Sequence, residues 1–235
     1  MDFDQRSGDI VPKKSCSCCQ IRMGSLFSKL CDDELETAAK SVVDTALSPG
    51  DRLYNPGDFG DSLYTLREGL IKLQQPLSDG SARIVNLLGQ GQVVGLEAIV
   101  TGYYEHSAIA LLPTKLCKIP RTMVDSLAPK LHSQLMQKWH EALTQAHACT
   151  RELGTGHARQ RVARLFLIIS PSQDGLVRLF GREDVGLLLG LTTETVSRMI
   201  AGFKRKEIIH EVSLNRFAIS IDKLQALSGG SDINV

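Results

Sequence analysis

The sequence predicts an α+β chain: a β-rich first half, one long helix, and a small helical domain that closes with a β-hairpin. Three observations carry this. Short apolar runs between residues 32 and 120 are punctuated by glycine-containing turns. From Met123 the apolar spacing lengthens to three- and four-residue steps. Residues 182–206 then hold two short helical patterns joined at a glycine.

Size and composition bound the rest. A chain of 235 residues suffices for one large domain or two small ones. Hydrophobic residues make up 43% and charged residues 23%, as in ordinary globular proteins. The formal net charge is +1, so no global basic field recruits nucleic acid. Residues 151–235 carry 12 Lys and Arg against 9 Asp and Glu, which leaves 15 against 17 in the remainder. Any nucleic-acid site is therefore expected in the C-terminal third. No apolar run is long enough to span a membrane. The polar, acid-bearing start MDFDQRSGDIVPKK has no signal core, so a cytoplasmic protein is expected.

The β-rich part is read from runs at 62–66, 70–74, 83–88 and 115–119. Pro49-Gly50, Pro56-Gly57, Gly69, Gly80, Gly89, Gly91 and Gly95 punctuate them. Turn signals about 8–12 residues apart argue for a sandwich or barrel. Residues 78–80, Ser-Asp-Gly, suit a hairpin turn.

Next, Leu127, Leu131, Leu135, Trp139, Leu143, Ala146 and Leu153 recur at helical steps. The stripe is narrow. It suits a seam against a second copy, with packing on its own domain as the other reading. Leu131, Leu135, Trp139, Leu143 and Ala146 are the expected dimer contacts. Gly154-Thr155-Gly156 breaks the helix. Residues 157–169 form another, with Val162, Leu165, Phe166 and Ile169 inward and Arg159, Arg161 and Arg164 in solvent.

The most specific pattern follows. Residues 182–189 make a short helix, Gly190 supplies a turn needing positive φ, and Thr192 caps a second helix to about Lys206. Leu188, Leu191, Val196 and Ile200 are expected to hold the pair at its crossing angle. This is a helix-turn-helix, whose second helix enters the DNA major groove. Glu194, Ser197 and Arg198 fall at i, i+3 and i+4 and share one face. Arg198 matches guanine O6 and N7, Glu194 accepts from cytosine N4, and Ser197 reaches a base or a phosphate. Lys204, Arg205 and Lys206 are candidate phosphate contacts. Residues 207–221 read as two strands around a turn at 214–216, a wing whose Arg216 is a further phosphate contact. Residues 222–227 make a closing helix.

Cysteine is distributed unevenly. Cys16, Cys18 and Cys19 lie within four residues, Cys31 follows, and Cys117 and Cys149 are distant. In a reducing compartment such a set suits an iron–sulfur or zinc site, or a tail of free thiols. A catalytic metal in the barrel is disfavoured, because residues 50–120 contain one histidine, His106. Nucleophilic triads and phosphate loops are absent, so no enzyme is expected.

The order of β-rich domain, long helix and winged helix-turn-helix resembles the CRP/FNR superfamily of bacterial transcription regulators, over about residues 27–227. The stretch 189–198, LGLTTETVSR, is similar to the family's recognition helix, and its Glu-x-x-Ser-Arg core matches outright. The resemblance implies an N-terminal β-roll of the cupin-like jelly-roll kind as sensor (32–121) behind a cysteine-bearing arm (1–31). A dimerisation helix (122–153) and a winged helix-turn-helix (154–235) follow. It implies that a homodimer reads an inverted repeat of double-stranded DNA and contacts RNA polymerase. Thr193 stands where the CRP branch has an arginine, which favours a TTGAT-like half-site and leaves Thr193 to a phosphate. His106 stands where cAMP-binding members place their phosphate-binding arginine, so cAMP is not expected. Cys117 lies in a segment, 114–120, similar to the one that supplies FNR's distant cluster ligand. The resemblance thus implies an oxygen-labile [4Fe–4S] cluster on Cys16, Cys19, Cys31 and Cys117, with Cys18 as substitute, and targets in anaerobic metabolism. The arm departs from the pattern at Phe27, where a two-and-seven spacing places the third cysteine. A member without a cluster would respond through thiol oxidation, a small effector, or haem on His106, His132, His140 or His147.

Overall fold

The computed structural model describes Cys19 and residues 25–78, 80–170 and 175–229. The chain forms two compact units. The first is built on residues up to Ala82 and from Asn86 to Thr144, the second on residues from Gln145 onward.

In chain order the first unit contains α1 (Asp32–Ser41), β1 (Val43–Leu47), β2 (Arg52–Tyr54), β3 (Ser62–Glu68), β4 (Ile71–Pro76) and β5 (Ala82–Leu88). It continues with β6 (Val93–Val94), α2 (Glu97–Thr101), β7 (Ser107–Ala110), β8 (Thr114–Pro120), α3 (Arg121–Ser126) and the start of α4 (Ala128–Gly154). Two four-stranded sheets run β1-β8-β3-β6 and β2-β7-β4-β5. The expected β-rich domain is therefore a two-sheet roll. Its short strands β1, β2, β6 and β7 are not legible individually in the sequence, because runs of two to five residues leave little periodicity. Asp79, at the expected hairpin turn, lies outside the described residues, while β4 and β5 on either side are neighbours.

Strand β3 shows how the core is divided. Leu63 faces a cluster with Leu26, Leu30, Leu35, Val93, Ile119, Val124 and Leu131. Tyr64 and Leu66 face the opposite side, with Tyr54, Ile71, Leu88, Val94, Tyr104 and Leu116. A period of two thus serves two cores, and residues 62–66 are all buried. Helices cover one face of the sheet and the second sheet covers the other. The rings of Tyr54 and Tyr104 stack at 3.7 Å, and Tyr104 donates to the Ser62 carbonyl at 2.6 Å. Burial pushes both phenols up.

The expected single helix 122–153 divides at Leu127. Pro129 is the physical reason. It lacks an N–H, so it is tolerated in the first turn of α4 but not inside a continuous helix. The expected dimer stripe divides as well. Leu131 is 1% exposed in its own unit's core, and half-buried Leu135 packs against the same cluster. Both are corrected to core residues. Trp139 and Leu143 are exposed at 39% and 51%, together with Met136 at 54%, and Ala146 is half-buried. Met136, Trp139, Leu143 and Ala146 follow one another at steps of three, four and three, a ladder offset by one position from Leu131 and Leu135.

The second unit contains the rest of α4, α5 (Ala158–Ile168), β9 (Leu176–Arg178), α6 (Arg182–Leu189), α7 (Thr193–Arg205), β10 (Ile209–Ser213), β11 (Arg216–Ile219) and α8 (Ile221–Ser228). The wing is three-stranded, ordered β10-β11-β9. Strand β9 was missed because three residues carry no pattern; only pairing with β11 makes it a strand. Phe166 of α5 anchors the unit. Its ring meets Phe203 of α7 at 6.5 Å and Phe217 of β11, edge-on, at 5.7 Å.

Two arginines of α5 are corrected from solvated to structural. Arg164 donates to the Ser228 carbonyl at 2.8 and 3.0 Å and to the carbonyls of Glu152 and Thr155 at 3.1 and 3.0 Å. Arg161 donates to the Leu189 carbonyl at the end of α6. Each satisfies carbonyls that a helix end leaves without partners. Pattern reading misses such roles, because the acceptors are backbone atoms far away in sequence.

Candidate nucleic-acid interface

Helix α6 opens with Glu183 and Asp184, which suit the positive end of its dipole. It closes at Gly190, whose φ of 61° is left-handed, as the sequence required. The N–H groups of Gly190 and Leu191 both turn back to the Gly186 carbonyl, the latter at 2.9 Å. Space here is tight. A Cβ on Gly186 would stand 2.6 Å from the Leu191 carbonyl oxygen. Gly186 thus lets the turn fold onto α6. Its signal in the sequence is a glycine inside a short helix, which costs about 1 kcal/mol unless packing needs it.

Thr192 caps α7: its hydroxyl accepts the Thr195 N–H at 3.2 Å. Thr192→Ala is expected to cost about 1 kcal/mol of this unit's stability in a denaturant titration. Val196, Ile200 and Phe203 are buried, one apolar stripe of α7. Leu188 and Leu191, expected between the helices, are half-buried, and Val185 and Leu189 fill that place.

The opposite face carries the expected readers. Glu194, Ser197 and Arg198 are all exposed, as is Thr193 in the first turn. Hydrogen bonds from its own backbone N–H and from the Thr192 hydroxyl hold the Glu194 carboxyl below its usual range. It is therefore an ionised acceptor. Arg205 and Lys206 are exposed at the end of α7, and Arg216 is exposed at the start of β11. Lys204 differs: Glu211 of β10 holds its ammonium.

The cysteines are less ordered around a common point. Cys16 and Cys18 lie outside the described residues. Cys31 caps α1, its N–H donating to Glu34 at 3.2 Å and its carbonyl accepting from Leu35 at 2.9 Å. On β8, the Cys117 sulfur lies 4.0 Å from both Arg67 and Asp44, which pair with each other at 2.7 Å. Among the described residues no three His, Cys, Asp or Glu side chains gather as metal ligands would, so Cys19, Cys31 and Cys117 do not converge. The residues described here do not fit the four-thiolate cluster. The candidate haem ligands are scattered too, with His132, His140 and His147 exposed along α4. His106 Nδ1 lies 3.6 Å from Glu97, so a carboxylate stands beside the position where a cyclic phosphate would need a cation.

Comparison with known proteins agrees with this geometry. Residues 45–130 match the cyclic nucleotide-binding domain, and residues 160–229 match the Crp-like helix-turn-helix domain. The transcriptional activator protein Anr of Pseudomonas protegens is 30% identical over 79% of this chain and 80% of its own length. The fumarate and nitrate reduction regulatory protein of Salmonella typhi is 28% identical over 96% and 93%. Among solved structures, FixK2 from Bradyrhizobium japonicum superposes with a TM-score of 0.71, covering 79% of this chain and 96% of that one at 23% identity. The chain belongs to the CRP/FNR family of transcription regulators. It is a regulator and not an enzyme, and membership implies DNA binding and dimerisation. Among the described residues no helix is long and apolar enough to cross a membrane.

Proposed function

We propose that the protein reads a TTGAT-like inverted repeat as a homodimer, each protomer inserting α7 into a major groove. The observation that carries this is the exposed trio Glu194, Ser197 and Arg198 on a helix whose other face is buried. Arg198 takes guanine O6 and N7 and ionised Glu194 takes cytosine N4, two contacts that discriminate between bases. Thr193, Arg205, Lys206 and Arg216 flank them and contact phosphates, which set register and affinity without reading sequence. Two readers one duplex turn apart require a two-fold assembly. The surface that serves it is the exposed stripe Met136, Trp139 and Leu143 of α4, with Ala146 at its edge. Contact with RNA polymerase is carried over from the family.

For the sensor, the relatives named for fumarate and nitrate reduction support a redox response. A [4Fe–4S] cluster on Cys16, Cys19, Cys31 and Cys117 is not supported by the described residues, among which Cys19, Cys31 and Cys117 do not converge. A thiol response is favoured by one observation: Cys117 of β8 lies against the pair that Arg67 of β3 makes with Asp44 of β1, where a change at sulfur disturbs two charges. Neither cAMP nor haem is assigned to the roll.

Gel shifts on a TTGAT inverted repeat and on a scrambled duplex, with and without oxidant, test the reading. Preference for the repeat is expected, and equal binding to both overturns it. Anaerobic purification with iron and sulfide assays decides the cofactor. A brown protein with about four irons per chain restores the cluster; a colourless, iron-free one leaves the thiol reading.

A further inference from the structure

Lys204 was expected on a phosphate, yet its ammonium is held by Glu211 Oε2 of the wing strand β10. The other oxygen of that carboxylate, Oε1, accepts the N–H of Asn215 at 3.2 Å. Asn215 has a φ of 57° and makes the wing turn, immediately before Arg216. One carboxylate therefore joins the last turn of the recognition helix to the tip of the wing. The Lys204 ammonium also stands 5.5 Å from the ring centre of buried Phe217, and the Arg182 guanidinium 5.8 Å from it. Phe217 is 0% exposed and packs on Phe166, so the ammonium rests on fixed core rather than on a mobile surface. A bulge between Glu211 and Ser213 re-aims the strand at this point.

From this arrangement we propose that Lys204 and Glu211 form a strut that sets the wing turn against the end of α7, making Glu211 a positioning residue for the phosphate contact of Arg216. The inference rests on the DNA reading assigned above to α7. An exposed ion pair by itself contributes little. The strut differs because its carboxylate has two partners on separate elements and its ammonium lies over a buried ring. Lys204 and the Asn215 amide hold the Glu211 carboxyl below its usual range, so the carboxylate stays charged at neutral pH.

The test turns on a sign. Glu211 is an acid near DNA, and simple electrostatics says that neutralising it tightens binding and frees Lys204 for a phosphate. The strut says the reverse. Fluorescence anisotropy over a salt series, with the full chain on the inverted repeat and on scrambled duplex, compares wild type with Glu211→Gln, Lys204→Ala, Lys204→Arg, Arg216→Ala and the Glu211→Gln/Arg216→Ala pair. Glutamine keeps the acceptor for Asn215, so the fold is retained. Glu211→Gln and Lys204→Ala are each expected to weaken specific binding by about three- to tenfold, a strong surface network rather than a lone pair. Lys204→Ala lowers the salt slope no further than Glu211→Gln does, since both act by releasing Arg216, and Lys204→Arg keeps wild-type affinity. Arg216→Ala lowers the slope by about one in wild type, and does so less in the Glu211→Gln background, where the wing is no longer held. Tighter or unchanged binding by Glu211→Gln, a slope in Lys204→Ala that falls further than in Glu211→Gln, or additivity of the Glu211→Gln/Arg216→Ala pair overturns the strut while the base reading of α7 stands. A wild type with no preference for the repeat overturns the base reading, and the strut with it.

Discussion

Arg198→Ala is expected to weaken binding to the TTGAT-like repeat by about 1–3 kcal/mol per half-site, roughly 5- to 150-fold, and to relax the preference at the guanine it reads. The side chain is exposed on α7, away from buried Val196 and Ile200, so its removal leaves no cavity. The fold should be untouched, with an unchanged melting temperature. The diagnostic is the pattern across sequences. Losing a base contact costs affinity on the cognate duplex and almost none on duplexes with that guanine replaced. Losing a phosphate contact costs the same on all of them. Competition binding against single-base variants of the half-site distinguishes the two, and uniform loss removes Arg198 from the base readers. Glu194→Ala is the companion measurement, read at cytosine.

Gly186→Ala is expected to abolish DNA binding from a buried position inside α6. Two effects oppose each other. Helix propensity alone favours alanine over glycine by about 1 kcal/mol. The new Cβ, however, meets the Leu191 carbonyl oxygen at 2.6 Å. That atom is backbone, locked by the hydrogen bond from Leu191 N to the Gly186 carbonyl, so the turn itself must shift. Overpacking of this kind costs typically 1–3 kcal/mol, sometimes more, and outweighs the propensity gain. The shift also tilts α7 against α6, which spoils the geometry even in molecules that stay folded. Gly202→Ala is the control. Its Cβ meets nothing nearer than Arg205 at 4.0 Å, so propensity alone acts and stability holds or rises. Denaturant titrations of both variants, with binding measured where each is folded, check the contrast. A Gly186→Ala protein as stable as wild type would mean that the close approach is relaxed in solution.

The helix-turn-helix was the most legible part of this chain because its rules are local. A positive-φ turn at Gly190, a cap at Thr192, and polar residues at i, i+3 and i+4 are all expressed within one stretch of sequence. The roll was legible only as a class. Strand β3 was recognised, but not its division between two cores, because neighbouring residues buried on both faces erase the alternation. The long apolar stripe misled for a related reason. Leu131 and Trp139 look equivalent on a helical wheel, and only packing against α1 and β3 sends the first into the core.

Local chemistry in the sequence thus determined the order of the main elements, the class of regulator and the three polar side chains exposed together on α7. Tertiary structure alone decided what each charge does. Arg164, read as solvated, donates to helix-end carbonyls, and Lys204, expected on a phosphate, pairs with Glu211. It likewise left Cys31 capping α1 and Cys117 beside Arg67 and Asp44. The physical reason is range. Turns, caps and helical faces arise between residues a few positions apart. The partner of a buried guanidinium or thiol is chosen by which distant segments the core brings within a few ångströms.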